Sequence, residues 1–416
     1  VPNPDTDPGS SPRLRTLVAM PAETWSEVFT PAARDRLAAV ADLLGLDSDR
    51  TGGDPADGDV ADRDASGGDG TGGDASGGDA TGGDASGGDA SGGDATGGDA
   101  TGGGGADGDA VGDRRGGGRP RLVSSFADVA GELAAAEVLL TGWGCPRITP
   151  DVLDAAPKLR AIVHAAGTIK TFVDPTVFDR GIEVSSAAAA NAIPVAEFTL
   201  AAIVLAGKRA FRHRDWFRTS GAKRPLPGAP ILGSLGTTVG VLGASRIGRL
   251  VLERLRDLDV TVLVSDPYLS PSEAAALGAE WCDLPTLFAS SNVVTVHAPL
   301  LPETEGLVSA ELLASMPDGG VLINTARGGL VDHVALEREC VSGRLDAVLD
   351  VTDPEPLPLD SPLLHAPNVF VTPHIAGAMG NETTRLGDAA VAEVERLAAG
   401  HPLSHGITRD DLGRIA

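Results

Sequence analysis

Residues Thr238 to Pro267 read TVGVLGASRIGRLVLERLRDLDVTVLVSDP. The stretch opens with an apolar run, Val239 to Leu242, of the kind a buried parallel strand needs. A glycine-bearing turn follows, Gly243-Ala244-Ser245-Arg246-Ile247-Gly248, and then a helical pattern with Ile247, Leu250, Val251, Leu255 and Leu258 on one face. A second apolar run, Val260 to Val264, ends at Asp266. Strand, turn, helix, strand and acid within about thirty residues is the layout of a dinucleotide-binding unit.

Each piece has a physical task. Gly243 turns the chain sharply out of the strand, and Gly248 lets the helix approach the sheet closely. The helix N-terminus offers free N–H groups and a positive dipole end to a pyrophosphate. Asp266, eighteen residues past Gly248, is placed to accept hydrogen bonds from an adenosine ribose, and it repels a 2′-phosphate. The reading is therefore NAD rather than NADP. Ser245 stands where the pattern usually has its middle glycine; its Cβ takes space near the phosphates and its hydroxyl offers them a hydrogen bond.

Downstream, strands are expected at Val293–His297, Gly320–Asn324, Ala347–Val351 and Val369–Thr372, each entering a polar loop. Arg327, Glu355 and His374 lie just past the ends of the last three, at the edge where an open parallel sheet binds ligands. Singly they read equally well as a surface cation, a loop acid and a loop histidine. Delivered together beside a dinucleotide turn, they suit hydride chemistry at a carbonyl. Hydride arriving on a 2-oxo acid leaves negative charge on oxygen, and histidine is suited to supplying the proton near neutrality. A carboxylate on the other ring nitrogen fixes the tautomer and favours the protonated ring. Arginine's planar fork matches a carboxylate and polarises the adjacent carbonyl.

Upstream, Leu14–Met20 is a strand candidate and Pro31–Leu44 has helical spacing. A helix is expected at Phe126–Ala136, a strand at Val138–Thr141, a short helix at Asp151–Ala156 and a strand at Arg160–His164. That last strand enters the small-residue loop Ala165-Ala166-Gly167-Thr168. Pro194–Arg209 reads as a long apolar helix, Phe211–Leu235 as a basic connection, and Thr383–Ala399 as a final helix. Strands alternating with helices argue for parallel sheets. Residues 51–118 are a pentapeptide array of GGDAS and GGDAT. With almost no large apolar side chains, the array is expected to be a disordered surface insertion. Its length adds little closure entropy.

The net charge is −25, of which the array carries −12. No basic patch suggests nucleic acid. Cys145, Cys282 and Cys340 are too few and too dispersed for a disulfide framework or a metal site, which suits a reducing cytoplasm. No apolar run is expected to span a membrane, and the first residues lack the order of a signal peptide.

The strings HAAGT (164–168), PVAEFTL (194–200), VGVLGASRIGR (239–249), VHAPLLPETEGLV (296–308), NTARGGLVD (324–332), LDVTDPEPLP (349–358) and NVFVTPHIAGA (368–378) carry a further signal. In them the chain resembles the NAD-dependent D-isomer-specific 2-hydroxyacid dehydrogenases. The resemblance implies an α/β protein with a Rossmann-type NAD domain and a split flavodoxin-like substrate domain. The expected boundaries are 1–190 for the substrate domain, 191–372 for the NAD domain and 373–416 returning to the substrate domain. It implies a homodimer. It also implies Arg327 as substrate-binding, Glu355 as partner of the histidine and His374 as acid/base. Ala166, Gly167 and Thr168 would grip the substrate carboxylate, and Asp350 the nicotinamide carboxamide. Gly243, Ser245, Arg246, Ile247, Gly248, Asp266, Ala298, Thr325, Ala326 and Gly377 would line NAD.

The chain departs from that family where an Asp-Asn pair is common. It has Ile169-Lys170-Thr171-Phe172, which offers Lys170 as an extra cation near the cleft, with Trp143 as another candidate lining residue. Glu355 argues against formate as substrate, since formate dehydrogenases of the superfamily carry Gln there. The chain is expected to lack the C-terminal regulatory domain of many phosphoglycerate dehydrogenases. A second functional reading is an NADH-sensing, corepressor-like interaction protein on the same fold. A third, a scaffold without activity, is opposed by the intact Arg327, Glu355 and His374.

Overall fold

Two open sheets of parallel strands organise the residues that the computed structural model describes: 13–44, 46–47, 119–120, 123, 125–222 and 233–413. The Gly/Asp array lies outside the described residues.

The first sheet takes β1 (Leu14–Ala19), β2 (Ala41–Leu44), β3 (Val138–Thr141), β4 (Ala161–His164) and β5 (Glu183–Ser186). Helix α1 (Ala188–Gly207) then leads toward the second sheet, β6 (Thr237–Leu242), helix α2 (Arg246–Leu255), β7 (Val260–Ser265), β8 (Glu280–Trp281), β9 (Val293–Val296), β10 (Val321–Asn324), β11 (Asp346–Leu349) and β12 (Val369–Val371). Helix α3 (Thr384–Ala398) and β13 (Gly406–Ile407) return to the first sheet. The strand orders are β13-β5-β4-β3-β1-β2 and β8-β7-β6-β9-β10-β11-β12. Within the first order, the parallel strands follow the flavodoxin-like pattern, with β13 antiparallel at one edge. The second is the doubly wound dinucleotide order with one more strand.

Alternation along the strands fills both faces of each sheet. In the first, Val18, Val138 and Leu140 face one apolar cluster with Trp25, Leu37, Leu386 and Val394. Leu17, Leu139 and Ile162 face another with Phe126, Leu133 and Val177. In the second, Val294, Val296 and Leu322 pack with Phe288, Leu313 and Leu336, and Val239, Val241, Val293 and Ile323 pack against α1 and α2. Strands buried on both faces read as continuous apolar runs, which is why their positions were legible from sequence.

Four expectations change. The helical spacing at Pro31–Leu44 is helix only to Val40; Ala41–Leu44 pairs with β1 as an edge strand, so pairing overrides local periodicity. Helix α1 starts at Ala188, six residues before Pro194, because the small residues Ala188–Ala190 sustain helix ahead of the proline. Part of the expected connection after it is an eleven-residue helix, Ala210–Ser220, set off by Arg209 in the left-handed region at φ 53°. Finally, α1 does have the length and apolarity of a membrane span. Here it packs on the second sheet and α2 through Ala196, Ala202, Ile203 and Ala206.

Candidate active site

The strand register sets the site. Leu242, Val296, Asn324, Leu349 and Val371 are paired in one row across five neighbouring strands, so the residues that follow them emerge at one edge.

At β6 the chain turns through Gly243 at φ 93°. A Cβ there would lie 2.7 Å from Ala298 N, and one on Gly248 would lie 2.0 Å from Gly243 O. Both glycines are therefore required by close packing of turn, helix and the β9 loop. Ser245 is the N-cap of α2, its hydroxyl accepting from Gly248 N–H at 3.4 Å. Among the described residues the amides of Arg246 and Ile247 have no protein acceptor, as a helix start leaves them. Asp266, at the end of β7, is half-buried and oriented by two backbone amides. Ala244 N–H donates to Oδ2 at 2.6 Å and Tyr268 N–H to Oδ1 at 2.7 Å. Each oxygen keeps a lone pair, so a ribose diol fits the acid and a pyrophosphate fits the helix end. Asp266 forms no ion pair among the described residues.

At β10, buried Asn324 braces the turn: its Nδ2 donates to Arg327 O at 2.8 Å and its Oδ1 accepts from Ala326 N–H at 3.0 Å. The Arg327 guanidinium donates to Ala326 O at 2.6 Å. Burial works against its charge, pulling its pKa down from the usual arginine value while Glu355 opposes the shift. Thr325 turns the other way, its hydroxyl 2.9 Å from Thr199 Oγ1 on α1.

At β11 and β12 the loops interlock. Asp350 is 2% exposed. Its Oδ1 accepts from Thr372 Oγ1 and Ile375 N–H, both at 2.7 Å, and its Oδ2 from Ala376 N–H at 2.9 Å. His374 N–H donates to Asp350 O at 2.9 Å. These bonds hold His374 at φ 57°, a conformation a side chain-bearing residue rarely adopts unless its surroundings impose it. The ring is thereby presented with Nδ1 2.6 Å from Glu355 Oε1. The two side chains are 50% and 42% exposed, and Nε2 has no partner among the described residues. One ring nitrogen is fixed by a carboxylate and the other is open.

The first sheet contributes the Ala165–Thr168 loop after β4. The amides of Ala166, Gly167 and Thr168 have no protein acceptor among the described residues, and consecutive free amides form an anion-binding concavity. His164 beneath them is buried, bonded through Nδ1 to Thr141 Oγ1 at 2.9 Å and packed on Phe172. Burial lowers its pKa to about 3, so it is neutral and structural. Lys170 is coupled electrostatically to Arg327, and burial together with that neighbour lowers its pKa. Two cations from two sheets thus share one region with no ion-pair partner among the described residues. Trp143, past β3, is 41% exposed.

A family model described as "D-isomer specific 2-hydroxyacid dehydrogenase, NAD binding domain" matches residues 200–376. A hydroxypyruvate reductase of Thermotoga maritima is 31% identical over 253 residues, 60% of this chain and 80% of that protein. The chain belongs to the D-isomer-specific 2-hydroxyacid dehydrogenase family. A D-3-phosphoglycerate dehydrogenase of Mycobacterium tuberculosis is 37% identical over 258 residues, 60% of this chain. The chain spans about half the length of that relative, 47%. In the solved TT0316 protein of Thermus thermophilus, 31% identical, 68% of this chain superposes on 89% of that one with a TM-score of 0.58. NAD is the cofactor of this family's nucleotide domain, and the Gly243 turn, the α2 N-terminus and Asp266 fit it.

Three residues of this family member escaped the sequence reading. Asn191 of α1 donates nothing recognisable as a motif, yet its Oδ1 accepts from Ala378 N–H at 2.9 Å beside Gly377. Its Nδ2 stands 3.5 Å from where a Cβ on Gly167 would be, so it spans the loops after β4 and β12. Asn324 looked like the last residue of a strand. Gly328 has Thr352 O only 2.0 Å from an added Cβ, pressing the Arg327 turn against the Glu355 loop. For Gly328 the ARGG string was the available signal.

Proposed function

We propose that the protein transfers hydride between NAD(H) and a D-2-hydroxy acid/2-oxo acid pair, with His374 as general acid/base. The observation that carries this reading is the 2.6 Å contact of His374 Nδ1 with Glu355 Oε1, which leaves Nε2 open. When bound, NADH supplies the hydride. The substrate carboxylate is held by the amides of Ala166, Gly167 and Thr168. Arg327 attracts the carboxylate and polarises the carbonyl oxygen. In reduction, protonated His374 gives its Nε2 proton to that oxygen as charge develops there, and Glu355 keeps the Nδ1–H bond throughout. In oxidation, neutral His374 takes the hydroxyl proton. Asp350 orients the loop that presents His374, and its remaining acceptor capacity would hold the nicotinamide carboxamide. Asp266 selects NAD over NADP by repelling a 2′-phosphate.

The substrate domain in this reading is 1–190 with 373–416, and the NAD domain 191–372. The exposed side of α1, with Leu205 44% exposed, and the helix Ala210–Ser220, with Phe217 56% exposed, suit a homodimer. The three free cysteines suit the cytoplasm. The test is a panel of 2-oxo acids, including phosphorylated and dicarboxylic members, followed by NADH absorbance with an NADPH control. Turnover with NADH preferred supports the reading; no turnover across the panel, or equal kcat/KM for NADPH, contradicts it.

A further inference from the structure

Glu355 sits on a loop, and something must fix that loop for a 2.6 Å contact with His374 to persist. The backbone at Thr352 and Asp353 is pressed on one side against Gly328, where an added Cβ would meet Thr352 O at 2.0 Å and Asp353 N at 2.7 Å. On the other side stands His333, the first residue of the helix His333–Val341, whose N-cap is Asp332. The Asp353 amide donates to His333 Nε2 at 3.2 Å, and His333 Nδ1 lies 3.1 Å from Val331 O. A backbone N–H can be received only by a ring nitrogen with a free lone pair, and a carbonyl only by one that carries hydrogen. The contacts therefore define one state, the neutral ring protonated at Nδ1. A second proton would occupy Nε2 and set two donors against each other.

We propose that His333 is a positioning residue for the acid/base pair. As the neutral Nδ1–H tautomer it anchors the Asp353 amide, and through it the Glu355 loop, and on protonation it releases that anchor. The charged and hydroxyl groups lining the cleft it faces are Glu337 on its own helix and Asp353, Asp360 and Ser361 on the loop side, and among the described residues no lysine or arginine lines it. The inference rests on the acid/base reading of His374 and Glu355.

The test compares wild type with His333→Gln and His333→Leu. Glutamine offers an amide oxygen to Asp353 N–H and does not titrate; leucine offers nothing. In NADH-dependent reduction, acidification favours protonated His374, so a fall in kcat on the acid side must come from elsewhere. We expect that fall in wild type, its displacement to lower pH in His333→Gln with near wild-type kcat at neutrality, and a kcat about tenfold lower in His333→Leu, the scale of one lost hydrogen bond. An acid limb shared by wild type and His333→Gln overturns the proposal, as does an unchanged His333→Leu enzyme. A second arm needs no turnover. In ¹⁵N-histidine spectra, the signal lost in His333→Gln should show the Nδ1–H tautomer, and its titration should perturb the His374 ring. An Nε2–H tautomer, or titration without effect on His374, also overturns it. Failure to find any substrate would sink the functional reading while leaving this arm to decide the anchor.

Discussion

The second sheet treats its cations in opposite ways at its two edges. At the N-terminal edge, Arg209 is 2% exposed. It pairs with Asp346 Oδ2 at 2.5 Å, while its other terminal nitrogen bonds Gly319 O and Arg212 takes the second Asp346 oxygen. At the C-terminal edge, Arg327 has lost much of its water; among the described residues it bonds the neighbouring Ala326 carbonyl and feels Glu355 at longer range, with no ion-pair contact. Lys170 is added to the same field. A desolvated cation is tolerated when it is paired and hydrogen-bonded, and is otherwise costly. The first arrangement stabilises the fold; the second leaves charge available for an anion from outside.

Breaking the lower network should give the largest stability effect. Arg209→Met leaves Asp346 with Arg212 as its remaining cation and takes the donor from Gly319 O, and removing one partner of a buried pair costs up to about 3–5 kcal/mol. Urea unfolding should show that loss, while kcat of the folded fraction stays at the wild-type value. The upper edge should behave in reverse. Arg327→Met should lower kcat/KM by about 10²–10³-fold, the scale for one donor at a developing charge, with a Tm equal to or above wild type. A large fall in Tm for Arg327→Met, or in kcat for Arg209→Met, would erase the contrast. Lys170→Met sharpens it further. Steady-state kinetics should show KM for the 2-oxo acid rising about tenfold or less with kcat nearly unchanged, the pattern of lost uniform binding. A kcat loss matching that of Arg327→Met would place Lys170 in the chemistry instead.

A pH-dependent effect concerns the buried histidines under the site. Burial lowers His164 and His297 to about 3, against about 6.5 in an unfolded chain. The unfolded state therefore takes up protons first. Their contribution is complete above about pH 6.5 and is lost as pH falls toward 3, with a slope of up to about 1.4 kcal/mol per pH unit for each. The urea midpoint should decline from pH 7 to pH 5, and His297→Gln should flatten the decline. A midpoint constant over that range would show that neither ring is held neutral by the fold.

The two edges were also unequally legible in the sequence. Arg327, Glu355 and His374 each follow an apolar run, so their shared edge could be read from strand ends alone. The left-handed φ of His374 could not, because it depends on Asp350 reaching three groups of the next loop. Asn191 was hidden for a related reason: it lies in an alanine-rich helix start, and its importance comes from two loops that meet it only in space. The Arg209–Asp346 pair joins residues 137 apart, and no local pattern marks such a partner. Ala41–Leu44 misled in the other direction, since helical spacing there gives way to pairing with β1.

In the proposed reaction His374 moves the proton. That role is tested most directly by kcat for 2-oxo acid reduction in His374→Ala, with NADH affinity measured by fluorescence on the same sample. The variant should show a kcat about 10²–10⁴-fold lower and NADH binding within a few-fold of wild type, because Gly243, the α2 N-terminus and Asp266 are untouched. A His374→Ala enzyme that turns over at the wild-type rate with an unchanged pH profile would contradict it.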